Sequence, residues 1–368
     1  MSRNQGVGLL SNLQTLRGIA ALMVVLHHVI HAAGYKDTEI FASGVDLFFV
    51  ISGFIMVYTT RASAPTMMDF LRNRATRVIP MYWLVTIATV FAVLAGLPFF
   101  GHHEIQASYL LKSLLFLPEF DGNGVDLMPI VLVGWTLNFE MFFYVCFSLT
   151  LVCGRNLAHR GLLVVPIFAA LTAAAVVSGD KVLGYYANNV IWEFVFGILI
   201  AYSLPAMTIS KTRDAKIGAW LLIASSVVWL LVAAQHSPME ARSMAFGLPA
   251  AGIVVAALVL ERNDSKVTSP LLLLLGAASY SIYLLHVFVL QIISKIMDVT
   301  QMNQSSIGLG VGYMAMIVAS AVAGIISYRL LEKPITAALQ RRRLAPTEKA
   351  ARHPRNQNAF APAARSKV

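Results

Sequence analysis

Stretches of roughly 20 mostly apolar residues recur about ten times along this chain, and that recurrence limits its fold more than any motif, because each is long enough to cross the hydrocarbon core of a bilayer as a helix. They lie near residues 13–32, 41–60, 78–97, 129–153, 161–178, 188–205, 217–234, 243–260, 270–294 and 306–331. Lipid offers no hydrogen bonds, so segments of this length must satisfy their backbone groups internally, as helices do. The expected fold is all-α: a polytopic bundle of about ten transmembrane helices. Composition agrees, since 58% hydrophobic residues, 12% charged residues and a mean hydropathy of +0.71 fall outside the range of ordinary soluble domains.

The net charge of +10 would suit a nucleic-acid binder, but the placement of the basic residues argues for topology and excludes nucleic acid as the expected partner. With a cytosolic N-terminus, only Lys36, Lys112, Lys181, Arg242 and Lys295 of the 28 basic residues fall on outer loops. The inner loops hold Arg72, Arg74 and Arg77, then Arg155 and Arg160, then Lys211, Arg213 and Lys216, then Arg262 and Lys266. This is the positive-inside bias, and it places both termini in the cytosol. The first apolar segment contains Arg17, His27 and His28 and leads directly into a second span, so it is read as retained rather than as a cleaved signal. Cys146 and Cys153 lie on one predicted helix about 10 Å apart, beyond disulfide reach.

Residues 1–334 read as one membrane domain. Residues 335–368, rich in Arg, Ala, Pro and Asn without apolar periodicity, read as a basic, disordered cytosolic tail in contact with anionic lipid. The longest outer loop, 98–128, is acidic through Glu104, Glu119, Asp121 and Asp126, and Ile105–Pro118 is expected to form an interfacial helix roofing an outward cavity.

Ionisable residues inside spans are costly unless paired or facing water, so they mark function. Here they are Arg17 and His28 in span 1, Asp46 in span 2, Glu140 in span 4, Glu193 in span 6 and His286 in span 9. Eleven residues at about 100° each bring Arg17 and His28 to within about 20° of one helix face, separated axially by about 16 Å. Span 2 runs back inward, which gives Asp46 nearly the depth of His28 and suggests a His–carboxylate pair for general-base catalysis on an alcohol. In span 9, Ser279, Tyr283 and His286 follow i, i+4, i+7 spacing and form a second polar wall. Glu193 has less support and is left out of the site. The inner run Arg72-Asn-Arg74-Ala-Thr-Arg77 reads either as a topology anchor on lipid headgroups or as an oligophosphate clamp extended into the bundle by Arg17.

These residues resemble the acyltransferase 3 family of integral-membrane O-acyltransferases over nearly the whole bundle. Leu16-Arg17-Gly18 followed by His28 fits its Arg-x10-His element. Gly44–Phe54 fits its second-span signature, and Arg72-Asn-Arg74 its Arg-x-Arg element. Trp135-Thr-Leu-Asn-Phe-Glu140, Ser279–His286 and Glu332-Lys-Pro334 complete the set in order. The segment from Gly134 to Tyr144 looks most like the ExoZ-type exopolysaccharide acetyltransferases.

The resemblance implies a multi-pass enzyme of the bacterial inner membrane that O-acetylates an exopolysaccharide or other cell-surface glycan, with the acceptor in some cases lipid-linked. Acetyl-CoA is the implied donor and no metal is expected. His28 is the catalytic residue that the resemblance implies; from the residues themselves, Asp46, Glu140, Ser279 and His286 are expected to accompany it, and Arg17, Arg72, Arg74 and Arg77 are expected to hold the acyl-CoA phosphates. A covalent acyl intermediate on His28 or Ser279 is an open alternative. Two rival readings follow from the residues alone: a transporter or flippase for a lipid-linked sugar, and a metalloenzyme built on His27, His28 and His31.

Overall fold

A computed structural model of the chain describes residues 10–35, 39–96, 105–120, 127–153, 159–203, 211–236 and 241–341. Among them, ten helices are long and apolar enough to cross a membrane. The chain is all-α: α1 (Ser11–Ala32), α2 (Glu39–Ala42), α3 (Gly44–Ser63), α4 (Met67–Leu94), α5 (Ala107–Leu114), α6 (Trp135–Thr150) and α7 (Val164–Ser178) come first. They are followed by α8 (Lys181–Tyr186), α9 (Ile191–Ser203), α10 (Arg213–His236), α11 (Leu248–Arg262), α12 (Pro270–Ala277), α13 (Ser279–Val299) and α14 (Ser306–Ser327). Large apolar side chains such as Phe91, Trp220, Val228, Trp229 and Met314 are exposed on the outside of the bundle. On a soluble protein they would form a sticky surface; here they face lipid.

Small residues set the closest helix contacts, since helices in lipid associate through packing rather than water exclusion. A Cβ added to Gly53 of α3 would fall 2.0 Å from the Phe194 carbonyl oxygen of α9, and one on Gly197 would fall 2.0 Å from that of Val50. At the other principal crossing, a Cβ on Gly276 of α12 would lie 1.8 Å from the Gln14 carbonyl of α1. The N-terminus of α1 is held by a neighbour: the Ser11 and Asn12 amides donate to the two Glu261 carboxylate oxygens at 2.8 and 2.9 Å. An anion there satisfies orphan amides and the helix dipole together.

Three boundaries differ from the sequence expectation. The basic run is part of the same helix as the third span rather than a loop before it, because α4 starts at Met67, with Thr66 accepting from the Asp69 amide as its cap. The ninth apolar stretch breaks at Ala278 into α12, which crosses α1, and α13, which starts at Ser279 and crosses the membrane. The last helix continues through a π turn at Tyr328–Glu332 to Arg341, into the segment expected to be tail. Residues 342–368, Lys36, His102, His103, Glu104, Asp121, Asp126 and Arg155 lie outside the described residues.

The expected loop helix forms as α5. Trp83 Nε1 of α4 donates to the Leu114 carbonyl at 2.7 Å, and Phe116, at a positive φ of 59°, packs against Tyr82 with ring centroids 4.6 Å apart and planes tilted by 32°. Lys112 pairs with Glu119 on its exposed side, which holds the Glu119 carboxyl below the usual range. Both cysteines are free, Cys146 buried and Cys153 exposed.

Candidate active site

α1 and α13 run side by side in the same direction. Gly18 approaches Leu275 and Gly276 of α12 near one end, and ten residues further along the chain from Gly18 and from Gly276, His28 of α1 meets His286 of α13. The bundle therefore has a basic end and a histidine end, joined by the α1 face that carries both Arg17 and His28.

At the basic end, α1, α3, α4, α6 and α13 enclose a cavity of about 780 Å³, counting its open mouth. Arg17, Arg74 and Arg77 line it, opposed by one carboxylate, Glu140. Neither Arg17 nor Arg77 forms a hydrogen bond or ion pair with any described residue. Arg74 reaches Thr59 Oγ1 at 3.5 Å and lies over the Phe70 ring at 5.6 Å, while its Nε has no partner. Glu140 is held by Ser52 Oγ at 3.1 Å and by the Tyr144 hydroxyl one turn along, and forms no ion pair with an arginine. Three guanidiniums with spare donors in a partly enclosed cleft suit bidentate binding of phosphate oxygens.

Arg72 is exposed and does not line this cavity, whereas Arg74 and Arg77 do. The reason is helical phase: residues two apart on a helix are about 200° apart in azimuth, whereas Arg74 and Arg77, three apart, share a face.

At the histidine end, His286 is fully buried and its Nε2 lies 3.3 Å from Nδ1 of the half-buried His28, with ring centroids 4.9 Å apart. The carbonyls beside them decide the tautomers. His286 Nδ1 sits 2.6 Å from the Tyr283 carbonyl, so it carries the hydrogen and leaves Nε2 as an acceptor. His28 Nδ1 faces that acceptor and the Val24 carbonyl at 2.9 Å, so it too is the protonated nitrogen. The lone pair of neutral His28 is thereby left on Nε2, free for substrate.

Asp46 does not orient His28. Its carboxylate is gripped by the Arg242 fork, Nε to Oδ1 at 3.1 Å and Nη2 to Oδ2 at 2.8 Å, with Glu193 alongside. On α3 the cavity face is Val45, Phe48, Phe49 and Ser52, at i, i+3, i+4 and i+7; Asp46 is about 100° off that stripe. It shares a face with Val50 and Gly53, which pack on α9. Depth alone could not reveal this, and Arg242, which the sequence places in an outer loop with no motif, is helical in the structure and gave no sign of its role.

Ser279 is buried with its hydroxyl unpartnered among the described residues, and it does not line the cavity. Neither imidazole lines it either. Phe48 and Tyr283 line the cavity with their rings 5.9 Å apart, and the Tyr283 ring lies 5.9 Å from that of His286. Tyr283 is fixed by its hydroxyl, which donates to the Val133 carbonyl at 3.0 Å and lies 2.8 Å from Thr136 Oγ1. Tyr283 thus contacts both the guanidiniums' cavity and the histidine pair. Glu332, noted only as part of a motif, accepts from Ser281 Oγ at 2.6 Å. Among the described residues no three His, Cys, Asp or Glu side chains are arranged to hold a metal; His28 turns toward His286 rather than His31.

The chain matches the family described as "Acyltransferase domain", acyltransferase 3, over residues 10–327. It belongs to that family. It is thus a multi-pass membrane acyltransferase. ExoZ of Rhizobium meliloti (strain 1021), an exopolysaccharide production protein, is 33% identical over 84% of this chain and 94% of its own length. Nodulation protein 10 of Rhizobium leguminosarum bv. viciae is 26% identical over 78% of this chain and 85% of its own length. The peptidoglycan O-acetyltransferase OatA of Listeria monocytogenes serovar 1/2a is 24% identical over 87% of this chain but only 54% of OatA. No solved structure matches.

Proposed function

We propose that this acyltransferase moves an acetyl group from acetyl-CoA to a hydroxyl of an exopolysaccharide or related cell-surface glycan, at a bacterial inner membrane with both termini cytosolic. One observation carries the reading: a cavity lined by three guanidiniums shares Tyr283, whose ring lies 5.9 Å from that of His286, with a histidine pair whose lone pair is directed by its hydrogen bonds. The relatives' names, an exopolysaccharide production protein and a peptidoglycan O-acetyltransferase, support the carbohydrate acceptor and the acetyl group.

Arg17, Arg74 and Arg77 would grip the phosphates of the donor, and Glu140, held by Ser52 and Tyr144, keeps the cleft from being uniformly cationic. The pantetheine arm lies along the cavity toward Tyr283, a course matched by the rise of about 16 Å between Arg17 and His28. His28 Nε2 takes the proton of the acceptor hydroxyl as its oxygen attacks the thioester carbonyl. The carbon–sulfur bond breaks, the new ester forms, and the proton passes from the imidazolium to the departing thiolate. Direct transfer requires no covalent acyl-enzyme. His286, as acceptor to His28 Nδ1–H, does the orienting that the sequence assigned to Asp46, and stabilises the imidazolium.

The test is transfer of label from [14C]acetyl-CoA to alkali-deacetylated exopolysaccharide by proteoliposomes of the purified chain. Label should appear in base-labile ester and be lost in His28→Ala. A His28→Ala protein that inserts normally and transfers label at the wild-type rate would discard the base assignment.

A further inference from the structure

A second cavity, of about 740 Å³ with its mouth, opens at the histidine end between α1, α13 and α14. Ala32, Leu290 and Met316 are its apolar surface; Gln291, Ser294, Lys295 and Asp298 are its polar one. Its position follows from helix register. Ala32 is one turn beyond His28 on α1 and Leu290 one turn beyond His286 on the parallel α13, about 6 Å further along each axis. The groove is therefore stacked on the histidine pair, on the side away from the guanidiniums.

The polar side chains do not pair among themselves. Gln291 Oε1 is buried without a hydrogen-bond partner among the described residues, and Lys295 forms no ion pair with any of them. Asp298 accepts from Asn303 Nδ2 at 3.1 Å and keeps its second oxygen available. An amide, a hydroxyl, an ammonium and a carboxylate within two turns of one helix mix donors and acceptors, which suits hydroxyl groups that both give and accept hydrogen bonds. An anionic ligand would be repelled by Asp298, and an acyl chain would leave the Gln291 oxygen unsatisfied. Lys295 and Asp298 by themselves would pass for interfacial anchors; the buried, unpartnered Gln291 oxygen is what such anchors do not explain.

We propose that this groove is the acceptor site, holding a saccharide segment so that one hydroxyl is presented to His28 Nε2. The proposal rests on the glycan-acetyltransferase reading and adds to it where the acceptor sits. Donor and acceptor then approach from opposite ends of the bundle, and their affinities are separable by mutation.

The probe is alkali-deacetylated exopolysaccharide, titrated against [14C]acetyl-CoA with the reconstituted full chain. Gln291→Met keeps length and bulk while removing the hydrogen bonds; a Lys295→Ala, Asp298→Ala double variant removes the charges. Each should raise KM for the polysaccharide on the order of tenfold, the loss expected for one or two hydrogen bonds. KM for acetyl-CoA and the thermal midpoint should stay at the wild-type values. Wild-type transfer that neither variant alters, or a rise in KM shared equally by both substrates, overturns the groove while leaving the glycan reading intact. No transfer to polysaccharide by the wild type overturns that reading, and the groove with it.

Discussion

Replacing each arginine of the basic run separately distinguishes helix geometry from motif. Arg72 and Arg74 are equivalent in the sequence pattern, yet the structure directs Arg74 into the cavity and Arg72 away from it. A charge-assisted hydrogen bond to phosphate contributes about 1.5–3 kcal/mol. At about 1.4 kcal/mol per tenfold, Arg74→Ala should weaken acetyl-CoA binding roughly 10- to 150-fold. Arg72→Ala, at an exposed position, should change it less than about twofold, within the ±0.5 kcal/mol typical of surface substitutions. Because Arg74 also packs over Phe70 and near Tyr144, Arg74→Lys serves as control: it keeps a charge but loses the planar fork, and should fall between the two. The assay is the KM for acetyl-CoA in proteoliposomes, checked by isothermal titration in detergent at two salt concentrations. Equal losses in Arg72→Ala and Arg74→Ala would refute the phase argument and with it the three-guanidinium clamp.

Other substitutions test the remaining contacts. Asp46→Asn removes the bidentate partner of buried Arg242, leaving it only Glu39 at 4.0 Å and the neighbouring Glu193, and should cost up to about 3–5 kcal/mol of stability; an Asp46→Leu, Arg242→Leu pair should recover folding and activity in a thermal-shift and transfer assay, a rescue that a catalytic Asp46 would forbid. His286→Gln, which keeps an acceptor toward His28, should retain more kcat than His286→Ala, whereas His28→Ala should lose about 10²–10⁴-fold. Gly53→Ala drives a methyl into the Phe194 carbonyl and should cost about 1–3 kcal/mol by thermal unfolding. Gly184→Ala, with open space around it, is the neutral comparison.

Hydropathy alone pointed to a polytopic helical bundle of about ten spans, and ten helices of that length and composition stand among the described residues, because a bilayer leaves the backbone few choices and stretches of about 20 apolar residues record that directly. The shared face of Arg17 and His28 was also legible, since both sit on one helix and helical phase is a property of spacing. The family motifs marked the chemistry, and Ser279–His286 was flagged as a polar wall. What sequence could not supply was azimuth between helices. Asp46 has the depth of His28 but points to α9 and Arg242; Arg72 matches a motif but not a face; the partner of His28 comes from a helix 258 residues away in sequence. The break at Ala278 decides that last contact, by letting α12 cross α1 at Gly276 before α13 sets off alongside it. Which side chains meet is fixed by how rigid helices rotate to bury their small residues against one another, and only the assembled bundle determines that rotation.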